Sequence, residues 1–110
     1  MRRYWGQEAL VKHLPILYIK KGCPWCIDAL AFFSRHSVAL DVRDVNADEA
    51  ARRRLVEISA QTKTPTLEYG DFVVADFSVV EFLAKLELAP QIKQELGLAT
   101  TRTDPPVPTS

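Results

Sequence analysis

Both cysteines of the chain fall within one four-residue stretch, Cys23-Pro24-Trp25-Cys26. Thiols this close serve either exchange with disulfides or ligation of a metal. As a structural staple the pair would be poor. Closing a four-residue loop restricts the unfolded chain by only about 2 kcal/mol, before any strain is subtracted. Structural zinc needs four ligands, and the other candidates, His13 and His36, stand singly and in no ligand spacing. No metal is therefore expected. Disulfide exchange remains, with Cys23 attacking and Cys26 resolving the mixed disulfide, provided the surroundings keep the first sulfur ionised.

The flanking residues indicate how that could be arranged. Ile16-Leu17-Tyr18-Ile19 is a continuous apolar run of strand length, suited to a strand buried on both faces. Lys20-Lys21-Gly22 reads as a turn, and Pro24 suits the first turn of a helix, where its missing N–H costs nothing. Residues 25–36 carry Ile27, Leu30, Ala31, Phe32 and Phe33, read as the apolar face of that helix. Cys23 then sits at a helix N-terminus, where unpaired N–H groups and the macrodipole favour a thiolate. Lys20 adds positive charge three residues upstream. Cys26 falls one turn later on the same side, within reach but deeper.

Further along, Val38-Ala39-Leu40-Asp41-Val42 reads as a second strand. Asn46 or Asp48 would cap the next helix, whose stripe is Leu55 and Ile58 and whose Arg52-Arg53-Arg54 face is expected to be solvated. Thr64-Pro65-Thr66-Leu67-Glu68-Tyr69 is extended, and Gly70-Asp71 turns it into Phe72-Val73-Val74-Ala75, a hairpin. Ser78, with Glu81 three residues on, forms a capping box ahead of a helix over residues 79–86. A last short helix follows Pro90 and stops at Gly97. At the start, residues 5–13 read as a helical arm ended by Pro15, with Trp5 packing it, and residues 99–110 as a disordered tail. The β-α-β unit favours parallel pairing and the hairpin antiparallel, so the expected fold class is α/β. It is a four-stranded mixed sheet flanked by helices, in one domain over residues 1–98.

At 110 residues the chain suffices for one domain with a core of its own. Hydrophobic residues at 47% and charged residues at 25% exclude wholesale disorder, collagen and coiled coil. Lys plus Arg and Asp plus Glu are 14 each, so no basic excess points to nucleic acid. No apolar run approaches the roughly 18 residues of a membrane helix. The first residues lack the apolar stretch of a signal peptide, so a cytoplasmic monomer is expected.

Tyr18-Ile19-Lys20-Lys21-Gly22-Cys23-Pro24-Trp25-Cys26 resembles the active-site segment of dithiol glutaredoxins, usually Tyr-x-Lys-x-x-Cys-Pro-Tyr-Cys, with Trp25 in place of the common Tyr. Thr64-Pro65 resembles the family's Thr-Val-Pro, whose proline is cis. The resemblance runs from about Leu17 to Leu86. It implies a thioredoxin-like fold, with Cys23 as nucleophile and Cys26 as resolving thiol. Lys20, Trp25, Thr64, Pro65 and Ser78 would bind substrate or glutathione, the latter serving as reductant. Implied partners are glutathione and disulfide-containing or glutathionylated proteins. Two departures stand out. Lys63 replaces the threonine before Val-Pro, where a solvated side chain or a contact to a substrate carboxylate are both open. Ala75-Asp76-Phe77-Ser78 replaces Gly-Gly-x-Asp, putting a negative charge where the γ-glutamyl carboxylate would dock. Two other roles follow from the same residues: an electron donor reduced by a flavoprotein thioredoxin reductase, and a carrier of a [2Fe–2S] cluster through Cys23 and glutathione.

Overall fold

A computed structural model of the chain describes residues 14–98. The expected arm with Trp5 and His13, and the tail over residues 99–110, lie outside the described residues. The elements run β1 (Ile16–Ile19), α1 (Pro24–Arg35), β2 (Asp41–Asp44), α2 (Glu49–Ser59), β3 (Thr66–Tyr69), β4 (Phe72–Val74), α3 (Val79–Glu87) and α4 (Pro90–Glu95). The four strands form one sheet in the order β2-β1-β3-β4. β1 pairs parallel with β2 and antiparallel with β3, and β4 closes the hairpin on β3. The expected mixed α/β sheet is thus present.

β1 lies inside the sheet, and its neighbouring residues point to opposite faces. Leu17 joins Ala29, Phe32, Phe33, Leu67, Phe82 and Leu86 in the larger core, under α1 and α3. Tyr18 packs with Val45, Ala51 and Leu55 under α2 on the other face. Each fully buried leucine, valine or phenylalanine among them contributes about 1.5–3 kcal/mol. Phe82 bridges two helices: its ring stands 5.2 Å from Phe33 on α1, edge-on, and 5.2 Å from Phe77 just before α3. That packing fixes the start of α3 beside α1.

The second strand begins three residues later than expected. After α1 the chain turns at Ser37, which adopts φ +57°, and the Val38 amide donates to the Phe33 carbonyl at 2.9 Å. Val38 and Leu40 are spent on the connection and pack against the larger core. The ladder opens only where the Asp41 amide donates to the Pro15 carbonyl at 2.9 Å. The strand itself is an edge with a polar surface, where Arg43 pairs with Asp41.

The inward face of α1 also differs from expectation. Cys26, Ala29, Phe32 and Phe33 are buried, whereas Ile27 is 59% exposed and Ala31 is exposed. Positions 26, 29 and 33 follow the helical repeat, and that repeat carries position 27 to the outside. The arginine run on α2 divides: Arg52 and Arg53 are solvated, but Arg54 reaches across to β3. Asp48, not Asn46, caps α2, its carboxylate accepting the Ala51 amide at 3.1 Å.

Candidate functional site

Cys23 is the N-cap of α1. Its sulfur accepts the Cys26 amide at 3.3 Å, which satisfies one of the donors that a helix start leaves open. Gly22 precedes it at φ +81°, a left-handed turn that glycine adopts without cost, and the Cys23 amide donates to the Lys20 carbonyl at 3.2 Å. Strand, tight turn and helix start thus place the first sulfur at the end of the sheet, half-buried, with Cys26 buried one turn below.

The two thiols titrate in opposite directions. Burial pushes the Cys23 thiol up. Hydrogen bonds from the Cys26 side chain and amide, the Thr64 hydroxyl and the Trp25 amide outweigh that and leave it below the ordinary thiol value. Burial also raises Cys26, and its bond to Cys23 raises it further. Among the influences that lower the Cys23 thiol, local hydrogen-bond donors lead, rather than the charge of Lys20. The pair therefore divides into an ionisable outer sulfur and a protonated inner one.

The wall opposite comes from the chain 41 residues later. The Thr64–Pro65 peptide bond is cis. The Cys23 thiol lies 3.8 Å from the Thr64 carbonyl and 3.9 Å from the Thr64 hydroxyl. Pro65 is fully buried, and its carbonyl accepts the Phe77 amide at 3.1 Å. The Thr66 hydroxyl accepts the Asp76 amide at 3.3 Å and donates to the Lys63 carbonyl at 3.0 Å. These bonds tie Asp76 and Phe77, which lead into α3, to the proline loop that faces Cys23.

Ser78 caps α3 as expected. Its hydroxyl accepts the Glu81 amide at 3.2 Å, while the Glu81 carboxylate accepts the Ser78 amide at 2.9 Å. Trp25, Asp76, Phe77, Ser78 and Glu81 line a half-open groove of about 310 Å³ beside the dithiol. Of the residues singled out in the sequence, Cys23, Cys26 and Thr64 meet directly, and Pro65 follows Thr64 across the cis bond. Trp25 and Ser78 share the adjoining groove, and Lys20 contributes its backbone to the turn. His36 ends α1 and packs its ring 4.6 Å from Phe32. Among the described residues, no group of three or more His, Cys, Asp or Glu side chains is placed to hold a metal ion.

One supporting group escaped the sequence reading. Glu68 on β3 is only 8% exposed, yet it accepts the Tyr18 hydroxyl at 2.7 Å and an Arg54 guanidinium nitrogen at 2.6 Å. Burial raises its carboxyl, but the bonds from Arg54 and Tyr18 prevail and hold it below the usual range. The same burial and bond push the Tyr18 hydroxyl well above its ordinary value. This network sits under the strand that delivers Cys23. Glu68 alternates with Leu67 along β3, which by itself reads as a solvent-facing position, and nothing local marks Arg54 as its partner.

A CxxC pair at the head of a helix, following an inner strand of a mixed four-stranded sheet and facing a cis-proline, defines a dithiol protein of thioredoxin-like fold. Solved structures agree. A point mutant of the thioredoxin-like protein BC3987 is 32% identical with a TM-score of 0.59, the match covering 66% of this chain and 97% of that one. The glutaredoxin of Archaeoglobus fulgidus is 18% identical with a TM-score of 0.59, over 78% of this chain and 96% of its own. Buckwheat glutaredoxin, solved in complex with glutathione, is 16% identical with a TM-score of 0.59, over 82% and 86%. No curated protein matched the chain. The model of the glutaredoxin family matches residues 16–74, and the chain belongs to that family.

Proposed function

We propose that this protein is a thiol–disulfide oxidoreductase that reduces protein disulfides and glutathione mixed disulfides through Cys23 and Cys26. The observation that carries this reading is the N-cap sulfur of Cys23, favoured as a thiolate by its local donors, with a protonated Cys26 directly beneath. Membership of the glutaredoxin family supports it.

The Cys23 thiolate attacks one sulfur of a disulfide, and the other sulfur leaves as a thiolate that takes up a proton. Cys23 is then joined to the captured half. Cys26 loses its proton and attacks the Cys23 sulfur, which forms the Cys23–Cys26 disulfide and releases the second thiol. Two electrons have moved from the dithiol to the substrate. Two molecules of glutathione restore the dithiol and leave as glutathione disulfide. When the captured half is glutathione itself, a second glutathione can replace Cys26 in the resolving step.

The Thr64 backbone beside Cys23 would pair with the captured half like an added strand, next to Pro65. Lys20, Trp25 and Ser78 would contact the same captured half. The reducing conditions of the cytoplasm would keep such a pair as thiols between turnovers.

The test is reduction of a glutathionylated peptide, with glutathione as reductant, by the wild type, Cys23→Ser and Cys26→Ser. Cys23→Ser should lose the activity and Cys26→Ser should retain it. Equal rates for the wild type and Cys23→Ser would remove the assignment of the nucleophile.

A further inference from the structure

The groove beside the dithiol has a charge of one sign. Asp76 and Glu81 are the ionisable side chains among its five lining residues, and none of the five is basic. Its third polar wall, Ser78, is committed to the capping box. Three backbone donors of this segment are likewise engaged: the Phe77 amide with Pro65, the Ser78 amide with the Glu81 carboxylate, and the Glu81 amide with Ser78. A carboxylate entering here would displace bonds already made and would face two charges of its own sign. A cation meets the opposite situation: the Asp76 carboxylate, the Glu81 carboxylate with one oxygen already accepting the Ser78 amide, and the aromatic wall of Trp25, which is 57% exposed.

The groove also belongs to the redox centre. Trp25 lies between the two cysteines in sequence. Asp76 and Phe77 are held by Thr66 and Pro65 to the loop whose Thr64 touches Cys23. The groove thus adjoins the CxxC segment through Trp25, and a group bonded close to the attacked sulfur would enter the field of its carboxylates. Asp76 adopts φ +52°, a conformation that glycine takes up more readily than any side chain. The backbone would be served better by glycine, and an acidic side chain stands there instead.

We infer that Asp76 and Glu81 are specificity-determining residues that select disulfides carrying a cationic group near the sulfur, such as an amine or a lysine or arginine side chain. This inference rests on the thiol–disulfide reading above and narrows its substrates.

The experiment compares two small disulfides of opposite charge, cystamine with two ammonium groups and 3,3′-dithiodipropionate with two carboxylates. Each oxidises the reduced protein to its Cys23–Cys26 disulfide and is itself cleaved to two thiols. Rate constants are measured at low ionic strength for the wild type and for the Asp76→Gly/Glu81→Gln double variant. The variant is suited to fold, since glycine fits the left-handed position and glutamine still serves a capping box. Taking the ratio of the two rates within each protein cancels any general change in Cys23.

Two unit charges several ångströms from the incoming group, in a water-like dielectric, alter each rate by about fivefold. The cystamine-to-dithiodipropionate ratio should therefore fall by an order of magnitude or more in the variant, and the difference should shrink as salt is added. An unchanged ratio overturns the charge selection and leaves the redox reading intact. Failure of both probes to oxidise the wild type overturns the redox reading and this inference with it.

Discussion

Thr64→Val tests how the nucleophile is tuned. The substitution keeps the shape of the side chain and the backbone carbonyl but removes the hydroxyl that stands 3.9 Å from the Cys23 sulfur. Hydrogen bonds to charged groups are worth about 1.5–3 kcal/mol. This contact is long and half-exposed, so about 1 kcal/mol is a fair allowance for its effect on the thiolate. The hydroxyl favours the charged form, so its loss raises the thiol's pKa and leaves less thiolate near neutral pH. One kcal/mol corresponds to about a fivefold drop in thiolate wherever that form is the minor one. Alkylation of Cys23 by iodoacetamide, followed by mass across a pH series, reads this directly. The variant should react up to about fivefold more slowly at pH values where the thiol form predominates in both proteins, and should approach the wild-type rate where both sulfurs are ionised. Superimposable pH–rate curves would refute the argument, since Thr64 would then not be a donor to the sulfur.

Two further predictions concern stability. Arg54→Met strips the guanidinium from the buried Glu68 carboxylate and leaves only Tyr18 as its partner. Because Arg54 is itself half-exposed, the loss of stability should be smaller than for breaking a fully buried pair, and it should lower the midpoint of urea denaturation at neutral pH. The carboxyl of Glu68 is held below its ordinary range in the fold, so its contribution is present above the unfolded carboxyl range and is lost as pH falls through the folded value. The Arg54→Met penalty should therefore shrink on acidification, and a penalty independent of pH would count against the pairing. Ala60→Gly should stabilise the protein by about 0.5–1 kcal/mol, because Ala60 ends α2 at φ +58° with its side chain exposed. Thermal denaturation should show a higher midpoint, and a lower one would contradict the strain argument.

What the sequence determined by itself lies within spans of a few residues. The dithiol, the helix start at Pro24, the hairpin turn at Gly70-Asp71 and the capping box of Ser78 and Glu81 all depend on bonds between near neighbours, and each is present as read. The element order and the mixed sheet followed, because a buried apolar strand, a crossover and a hairpin leave few ways to pair. The second strand was displaced because apolar alternation at Val38 and Leu40 looks the same whether it faces a sheet neighbour or packs a connection onto the core. Only the tertiary structure decided what meets the sulfur. Thr64 comes to Cys23 across 41 positions because β3 is hydrogen-bonded to β1, and no local signal encodes that pairing. The same holds for Arg54 and Glu68, which are joined through the packing of α2 on the sheet, and for the grouping of Asp76, Glu81 and Trp25. Hydrogen bonding along the chain is short-ranged and legible, whereas side chains brought together by strand order and layer packing become neighbours only once the core has closed.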